Sequence, residues 1–252
     1  MEIFYAMVIT IIGCILGSFF NVVGDRMPQG QSIVRPGSHC TNCGHNLKWY
    51  ELIPILSYLV QRGRCRKCNA KLSIVYLLTE VTTGILFLAS YLIFGLSYQF
   101  VISIAIVSFL VIIIVSDINY LIIPDEATLF FSITLIFIKW IGEGYKAMGT
   151  YLLSGLGLFL FMYLIMILGN VIFKKESLGG GDVKLMFFVG LAIGLFNGFF
   201  TIFLSSVLAL PFSLLFYYKN DETVIPFGPF ILIATLAIFL SGFNVLEILV
   251  LV

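Results

Sequence analysis

The 252-residue chain has few charged residues. Its 14 Lys and Arg and 13 Asp and Glu make up only 11% of the sequence, whereas 60% of the residues are hydrophobic. A soluble domain of this size does not need so much apolar surface, so the composition predicts a polytopic membrane protein. The net charge is only +1 and gives no basic footprint, so we expect no nucleic-acid partner. Internal repeats and low-complexity tracts are also lacking.

The apolar stretches suffice for about eight membrane-spanning helices, if each span takes about 20 residues. The first stretch lacks a basic n-region and a clear small-residue cleavage site. We therefore interpret it as a retained helix and not as a removable signal peptide. The sixth is short and ends at a weak break, Asn197-Gly198. The predicted fold class is all-α, with spans at 3–24, 74–94, 100–122, 124–141, 150–172, 183–196, 198–217 and 226–251.

The distribution of basic residues predicts the orientation, because Lys and Arg accumulate in cytoplasmic loops. Eight of the 14 lie in residues 25–73, between the first two predicted spans. This loop is therefore predicted to be cytoplasmic, with the N-terminus outside. Alternation then places loops 117–125, 173–183 and 218–225 in the cytoplasm. The loops predicted to face outward carry one basic residue between them, Lys146.

Four of the five cysteines form two Cys-x-x-Cys pairs in the 25–73 loop, separated by 21 residues. Paired knuckles at this separation are a strong signal for tetrahedral zinc, and cytosolic thiols stay reduced, which favours metal over disulfide. Two redox or disulfide pairs are the alternative. Four thiolates close the coordination shell, so the zinc is expected to hold the fold and not to perform hydrolysis. The predicted ligands are Cys40, Cys43, Cys65 and Cys68.

The residues around these pairs have simpler interpretations. Gly44 and Asn69 each follow a pair and are predicted turn residues. His39 and His45 flank the first pair, and either could replace a cysteine. Because four sulfurs suffice, we interpret both histidines as bystanders. Cys14 lies in the first predicted helix, where we expect a small buried apolar residue.

Two aspartates lie at the ends of predicted membrane helices. Asp182 follows Gly179-Gly180-Gly181 before the sixth span, and Asp117 ends an earlier apolar run. The predicted topology puts both at the cytoplasmic boundary. Carboxylates at membrane depth are costly, and two that meet suggest water activated between an ionised and a protonated carboxyl. The competing interpretations are an ordinary N-cap for Asp182 and a polar helix end for Asp117.

The neighbours of these acids refine this hypothesis. Glycines allow backbone conformations closed to other residues and a close approach of substrate, so Gly179 and Gly181 are predicted to support the site. Lys184 is either a lysine at the membrane interface or a partner for the site. The dipoles at the helix ends favour a protonated Asp117, which would act as the acid, and an ionised Asp182, which would act as the base.

Three further acids carry weaker signals. Asp125 and Glu126 follow Pro124 at the start of the next predicted helix, where proline and acids are both favoured, so we interpret them as mainly structural. Glu80 lies about two turns into the second predicted helix. It either pairs with a loop cation or lines a cavity, and the sequence does not choose between these roles.

Together these features resemble the type IV prepilin peptidase family, the GxGD membrane aspartyl proteases. The resemblance covers nearly the whole chain. Gly24-Asp25-Arg26 departs from the family's pattern, but this puts little in doubt. The motifs that carry the resemblance are GSFFNVV (17–23), Cys-x-x-Cys (40–43), WYELIP (49–54), LSY (56–58), RGRC-x-x-C (62–68), Asp117 with IPD (123–125), and GGGDVK (179–184).

The resemblance implies that Asp117 and Asp182 are catalytic. It implies cleavage of the leader from type IV prepilins or pseudopilins, after a glycine, at the cytoplasmic face of the bacterial inner membrane. Many members then methylate the new N-terminal residue with S-adenosylmethionine. No Rossmann-type glycine fingerprint is present, so methylation rests on the resemblance alone. The expected domains are a first helix (1–24), a zinc-binding loop (25–73) and a protease domain embedded in the lipid bilayer (74–252).

Three other functions were weighed against this one. A preflagellin-type or signal-peptide-type GxGD enzyme is disfavoured by the cysteine loop. A proton- or cation-coupled transporter predicts acids that pair near the bilayer midplane, whereas here they lie at one face. A zinc-knuckle scaffold without chemistry leaves the three glycines at 179–181 unexplained.

Overall fold

The protein is described by a computed structural model that covers residues 1–174, 178–220, 225–245 and Glu247. Over this part of the chain the structure is almost entirely helical and contains no β-strand, only two isolated bridges in the cysteine loop. The chain divides into two compact units, Met1–Gly95 and Leu96–Val252. The prediction of an all-α protein with several apolar helices is confirmed. The three-part domain division stays a prediction.

The first unit contains two long helices, α1 (Glu2–Arg26) and α3 (Ile74–Phe94), and a short helix α2 (Leu56–Val60) in the loop between them. Glycines let α1 and α3 approach closely. A Cβ on Gly13 would lie 2.9 Å from the Cα of Gly84. Small residues at such contacts are typical of membrane helix pairs, whose association depends on van der Waals packing.

The second unit contains, in its described residues, five helices, and the apolar helix α4 (Tyr98–Tyr120) is the most buried of those long enough to span a membrane. Phe109 of α4 stacks on Phe131 at 5.0 Å between ring centroids and meets Phe188 edge-on at 4.8 Å. Most side chains of α4 are buried, so this helix is the core of the unit. The other four are α5 (Asp125–Phe173), α6 (Gly180–Ile193), α7 (Leu195–Asn220) and α8 (Gly228–Ser241).

Two predicted spans, 124–141 and 150–172, fall in α5, which consists of two helical segments joined at a kink. The helix bends at Gly144, whose φ of 85° and ψ of 172° are open to glycine but not to most residues. The last predicted span, 226–251, forms α8 only as far as Ser241. Within that predicted span, residues 246 and 248–251 lie outside the described part of the chain.

Five helices among the described residues are long and apolar enough to cross a membrane, and they lie in α1, α3, α4, α5 and α7. The helices α6 and α8 have 14 residues each. They are shorter than the roughly 20 residues that a full span requires. The count of eight spans and the orientation of the chain therefore stay predictions, whereas the membrane character is clear.

Candidate active site

Asp117 is buried in the last turn of α4. The helix ends three residues later because Leu121 adopts a left-handed conformation (φ 55°, ψ 35°), and its N–H donates to the Asp117 carbonyl at 2.9 Å. The side-chain Oδ2 accepts a hydrogen bond from the backbone N–H of Gly228 at 3.1 Å. The first N–H groups of a helix lack intrahelical partners. The start of α8 therefore supplies a fixed donor to this carboxylate.

Asp182 lies in the first turn of α6, which begins after the N-cap Gly179. Among the described residues, none donates a hydrogen bond to its carboxylate. A Cβ on Gly179 would lie 3.1 Å from Asp182 Oδ2, so a side chain there would crowd the acid. The negative charge of Asp117 acts on Asp182. The fold thus brings the two aspartates together from α4 and α6, and their catalytic role stays a prediction.

Ile123 packs against the start of α6 and the start of α8, the two helix ends beside this pair. A Cβ on Gly181 would lie 2.9 Å from Ile123 Cβ, and a Cβ on Gly228 would lie 2.9 Å from Ile123 Cδ1 and 3.1 Å from Asp117 Oδ2. A Cβ on Gly180, by contrast, would meet nothing within 4 Å. The close approach therefore requires glycine at 181 and 228 but not at 180.

Lys184 forms an ion pair with Asp125 and not with either aspartate of the pair. Its Nζ lies 2.7 Å from both carboxylate oxygens of Asp125 and connects the first turns of α6 and α5. Both side chains are at least half exposed, and an exposed pair of this kind stabilises a protein by roughly 0–1 kcal/mol. A supporting role for Lys184 is thus indirect, through the placement of α6.

The contact of Gly228 with Asp117 was not predicted from the sequence. The available signal was Gly228-Pro229 at the start of the last apolar helix, since proline in the first turn marks a helix start. The sequence could not show which side chain accepts from that N–H, because the acceptor lies 111 residues away.

In the first unit, the four predicted cysteine ligands form one cluster. Their Sγ atoms all lie within 4.8 Å of one another, with 3.8 Å between Cys40 and Cys68 and 4.0 Å between Cys43 and Cys65. A tetrahedral zinc with Zn–S bonds of about 2.3 Å needs sulfurs about 3.8 Å apart. All five cysteines are free thiols. The cluster therefore fits a single tetrahedral metal ion.

The two cysteine pairs form matching turns. Gly44 (φ 67°) and Asn69 (φ 58°) adopt the left-handed conformation, which confirms their prediction as turn residues. The backbone N–H of Ala70 and the side-chain amide of Asn42 lower the pKa of the Cys68 thiol to about 6, which favours the metal-binding thiolate. Four hydrogen bonds of 2.9 Å build the turns: Cys40 N to His45 O, Gly44 N to Cys40 O, Cys65 N to Ala70 O and Asn69 N to Cys65 O.

The two histidines are not part of the sulfur cluster. His39 Nδ1 lies 3.0 Å from Gly37 O, and His45 Nε2 lies 3.3 Å from Glu51 Oε2. Glu51 also accepts from the Lys48 N–H at 2.9 Å. This N–H, followed by the hydrogen bond with His45, lowers the pKa of the Glu51 carboxyl. Glu51 belongs to the motif WYELIP, but no local pattern predicted its role as a buried clasp beside the first cysteine pair.

The fold and the site together define a class: a helical membrane protein with two aspartates at neighbouring helix ends and a four-cysteine cluster. A family model for the bacterial Peptidase A24 N-terminal domain matches residues 11–94, and one for the Type IV leader peptidase family matches residues 104–214. One relative, named a prepilin leader peptidase/N-methyltransferase, is 32% identical over nearly its whole length. The chain belongs to the type IV leader peptidase family and is a bacterial inner-membrane protein.

The chain is similar to the prepilin leader peptidase/N-methyltransferase of Bacillus subtilis, at 32% identity over 95% of this chain and 96% of the relative. The protein of the same name from Vibrio cholerae is 28% identical over 96% of this chain and 98% of the relative. The one from Myxococcus xanthus is 39% identical over 74% of this chain, but the match spans only 55% of that relative. No solved structure matches the chain. The family resemblance is confirmed, and the transporter alternative is not favoured.

Proposed function

We propose that this protein cleaves the leader peptide from type IV prepilins or pseudopilins and that Asp117 and Asp182 are its catalytic pair. The observation that supports this most directly is the placement of the two carboxyls near one another at the ends of α4 and α6, with Ile123 packed between the helix starts and the Gly228 N–H bound to Asp117. Two acids that share a proton are the arrangement by which aspartic proteases activate water. The names of the relatives point to the same reaction.

In the proposed mechanism, Asp117 is the ionised base. A backbone N–H stabilises a carboxylate, and Asp117 has such a donor whereas Asp182 has none among the described residues. This weighs against the assignment from helix dipoles, which predicted a protonated Asp117. The prediction from dipoles depends only on the helix that carries each acid, whereas the start of α8, which lies against Asp117, also acts on that carboxylate.

The reaction then follows ordinary amide hydrolysis. Asp117 takes a proton from water as the water oxygen attacks the scissile carbonyl carbon, and protonated Asp182 polarises the carbonyl oxygen. When the tetrahedral intermediate collapses, the C–N bond breaks and the leaving amine takes the proton that Asp117 accepted. The new N-terminus is released on the mature side and a carboxyl group on the leader.

The location of this reaction is proposed from charge. Eight of the 14 basic residues lie in residues 25–73, which favours a cytoplasmic loop, an outside N-terminus and an active site at the cytoplasmic face of the membrane. Both aspartates lie at helix ends and not at helix centres. Such a site is accessible to a short leader that remains on the cytoplasmic side.

For the cysteine cluster we propose a structural zinc ion held by Cys40, Cys43, Cys65 and Cys68. When bound, the ion supplies a closed four-sulfur shell that holds the loop together and leaves no position for substrate. We also propose N-methylation of the new N-terminal residue with S-adenosylmethionine as donor. This second activity is supported by the names of the relatives, and we assign no residue to the donor.

The deciding experiment incubates purified protein with a panel of prepilins and determines the N-termini of the products by sequencing and mass spectrometry. We expect a single cut after a glycine, followed by methylation when S-adenosylmethionine is added. Asp117→Asn should still methylate a precleaved pilin, because the aspartate pair has no use for a methyl donor. No cleavage of any prepilin by folded protein in lipid would contradict the proposal.

A further inference from the structure

The loop between α1 and α3 contains an uncharged run, residues 52–60, with the sequence LIPILSYLV. Charge alone puts the whole loop in the cytoplasm. We infer that residues 52–60 instead dip into the bilayer interface, and that they do so whether or not the proposed function holds. Three observations lead to this: a depth marker, a turn whose central N–H groups are paired, and an apolar surface with no cover in its own unit.

The depth marker is a hydrogen bond between the run and α3. The N–H of Ile55 donates to Glu80 Oε2 at 2.7 Å. Glu80 is the seventh residue of α3 (Ile74–Phe94), so it lies about 9 Å along the helix axis from Ile74. The whole helix is only about 31 Å long, close to the 30 Å of a hydrocarbon core. If α3 spans, Glu80 and its partner Ile55 lie below the surface of the bilayer.

The N–H groups at the centre of the run, from Ile55 to Ser57, are paired within the protein. Non-helical backbone at membrane depth persists only when its polar groups are satisfied within the protein. Pro54 has no N–H, and the Leu56 N–H donates to the Pro54 carbonyl at 2.6 Å. The N–H groups of Ser57 and Leu59 donate to Ile53 and Ile55 at 3.0 Å. Glu80 supplies the acceptor for Ile55, which sits at the centre of this turn.

The turn itself is strained, and Glu80 holds it. Ile55 has φ 62° and ψ −55°, the rarer and more strained of the two γ-turn forms. A β-branched residue at positive φ persists only where its surroundings fix it. The strain turns the chain sharply at its deepest point. This gives Glu80 a role that the sequence left open: in the described structure its carboxylate binds the backbone of the run.

The surface of the run is apolar and uncovered. Leu56, Leu59 and Val60 are 60%, 58% and 70% exposed. Leu52 and Ile53 are also exposed, and so are Ile74, Val75 and Leu78 on α3, which must contact lipid if α3 spans. The run and α3 thus both expose apolar side chains within the same unit.

The residues that flank the run favour the membrane over a protein partner. Trp49, 77% exposed, comes just before it, and tryptophan prefers the boundary between lipid and water. Arg62 and Arg64 follow it and are exposed, positioned to contact the anionic headgroups of the cytoplasmic leaflet. An apolar centre between an aromatic residue and basic residues is typical of an interfacial segment.

Tryptophan quenching by brominated lipid tests this inference. The native Trp49 and Trp140 are replaced with phenylalanine, and a single tryptophan is introduced as Leu56→Trp or Leu59→Trp. The protein is reconstituted in vesicles of phosphatidylcholine brominated in the upper part of its acyl chains, mixed with an anionic lipid. Leu78→Trp on α3 is the lipid-facing control, and Lys67→Trp in the second cysteine pair is the water-facing control.

We expect both tryptophans in the run to be quenched about as strongly as Leu78→Trp and at least about two-fold more strongly than Lys67→Trp. Adding Glu80→Ala to Leu56→Trp should reduce the quenching, whereas Glu80→Gln, which keeps an acceptor oxygen, should retain it. Quenching no stronger than that of Lys67→Trp overturns the inference. If the emission of that unquenched tryptophan shifts to shorter wavelength only when a prepilin is added, the apolar face binds the substrate and not the bilayer.

Discussion

The backbone N–H of Gly228 donates to Asp117 Oδ2 at 3.1 Å and so joins the start of α8 to the end of α4. The contact depends on the absence of a side chain, because a Cβ on Gly228 would lie 3.1 Å from that oxygen and 2.9 Å from Ile123. A fixed donor orients the carboxylate before substrate arrives. Such preorganisation costs nothing at the moment of reaction. Gly228 is thus a positioning residue for Asp117.

Cleavage should require both aspartates. Asp117→Asn and Asp182→Asn are each expected to lower turnover at least ~100-fold, because water attack on an amide needs a base and an acid together. The matched control is Asp125→Asn, which breaks only the exposed pair with Lys184 and should change the rate by less than about 3-fold. The measurement is single-turnover cleavage of a prepilin in lipid. Substantial cleavage by Asp182→Asn would end the assignment.

The glycines of the site should differ in their tolerance of alanine. Gly181→Ala and Gly228→Ala place a Cβ 2.9 Å from Ile123 and are expected to lower kcat about 10- to 100-fold by displacing the acids. Gly180→Ala, whose Cβ meets nothing within 4 Å, should remain near wild type. Cleavage rates and thermal stability are compared for all three. Equal losses of kcat in Gly180→Ala and Gly181→Ala would show that backbone flexibility matters here, and not the close approach of Gly181 to Ile123.

The sequence predicted most of what local chemistry determines. Apolar length predicted the helices, and the predicted second span, 74–94, coincides with α3. The spacing of the cysteines predicted their cluster, because a Cys-x-x-Cys pair places two sulfurs within one turn whatever the rest of the chain does. The left-handed Gly44 and Asn69 follow from the same local geometry.

Contacts between distant segments could not be predicted. No local pattern indicates that the Gly228 N–H binds Asp117, or that the Ile55 N–H binds Glu80. The break in α5 at Gly144 lies between the predicted spans 124–141 and 150–172, but the sequence did not show that it is a sharp kink, because helical propensity on both sides hides whether a loop or a kink connects two apolar runs. These features depend on tertiary packing, which no local pattern encodes.

The cysteine cluster should hold about one zinc ion per chain. Protein purified without chelator is analysed by inductively coupled plasma mass spectrometry. Cys40→Ser should lose the metal, and Cys14→Ser, which lies outside the cluster, should retain it. We expect the loop 25–73 of Cys40→Ser to be cut more rapidly by trypsin. Zinc retention by Cys40→Ser, or less than about a tenth of an equivalent in the wild type, contradicts a four-sulfur site.

The Glu51 clasp should make the stability of the loop depend on pH. The folded-state pKa of Glu51 is lowered, by the Lys48 N–H first and by His45 as well. Its contribution is therefore present above the unfolded pKa of about 4.3 and is lost as pH falls through the lower folded value. Glu51→Gln should be less resistant to proteolysis than wild type at pH 7.

The control for that experiment is the pH series itself. The same comparison is made as pH is lowered, with a protease active in acid and with zinc content measured in parallel, because protonated thiols release metal. The difference between wild type and Glu51→Gln should narrow in acid. A difference that stays constant down to the lowest pH would mean that the charge of Glu51 plays no part.

The proton shared by the aspartates should reside mainly on Asp182 in the free enzyme. Asp117 accepts the Gly228 N–H, which stabilises its charge. The dipole of α4 opposes this and contributes at most about 2 kcal/mol when partly buried, so the preference is expected to be incomplete.

A pH–rate profile cannot assign the proton, because titration belongs to the pair. Infrared difference spectra of Asp117→Asn and Asp182→Asn near neutral pH can, through the band of the protonated carboxyl. We expect that band to disappear in Asp182→Asn and to persist in Asp117→Asn. The reverse pattern would restore Asp117 as the acid and would mean that the end of α4 outweighs the start of α8.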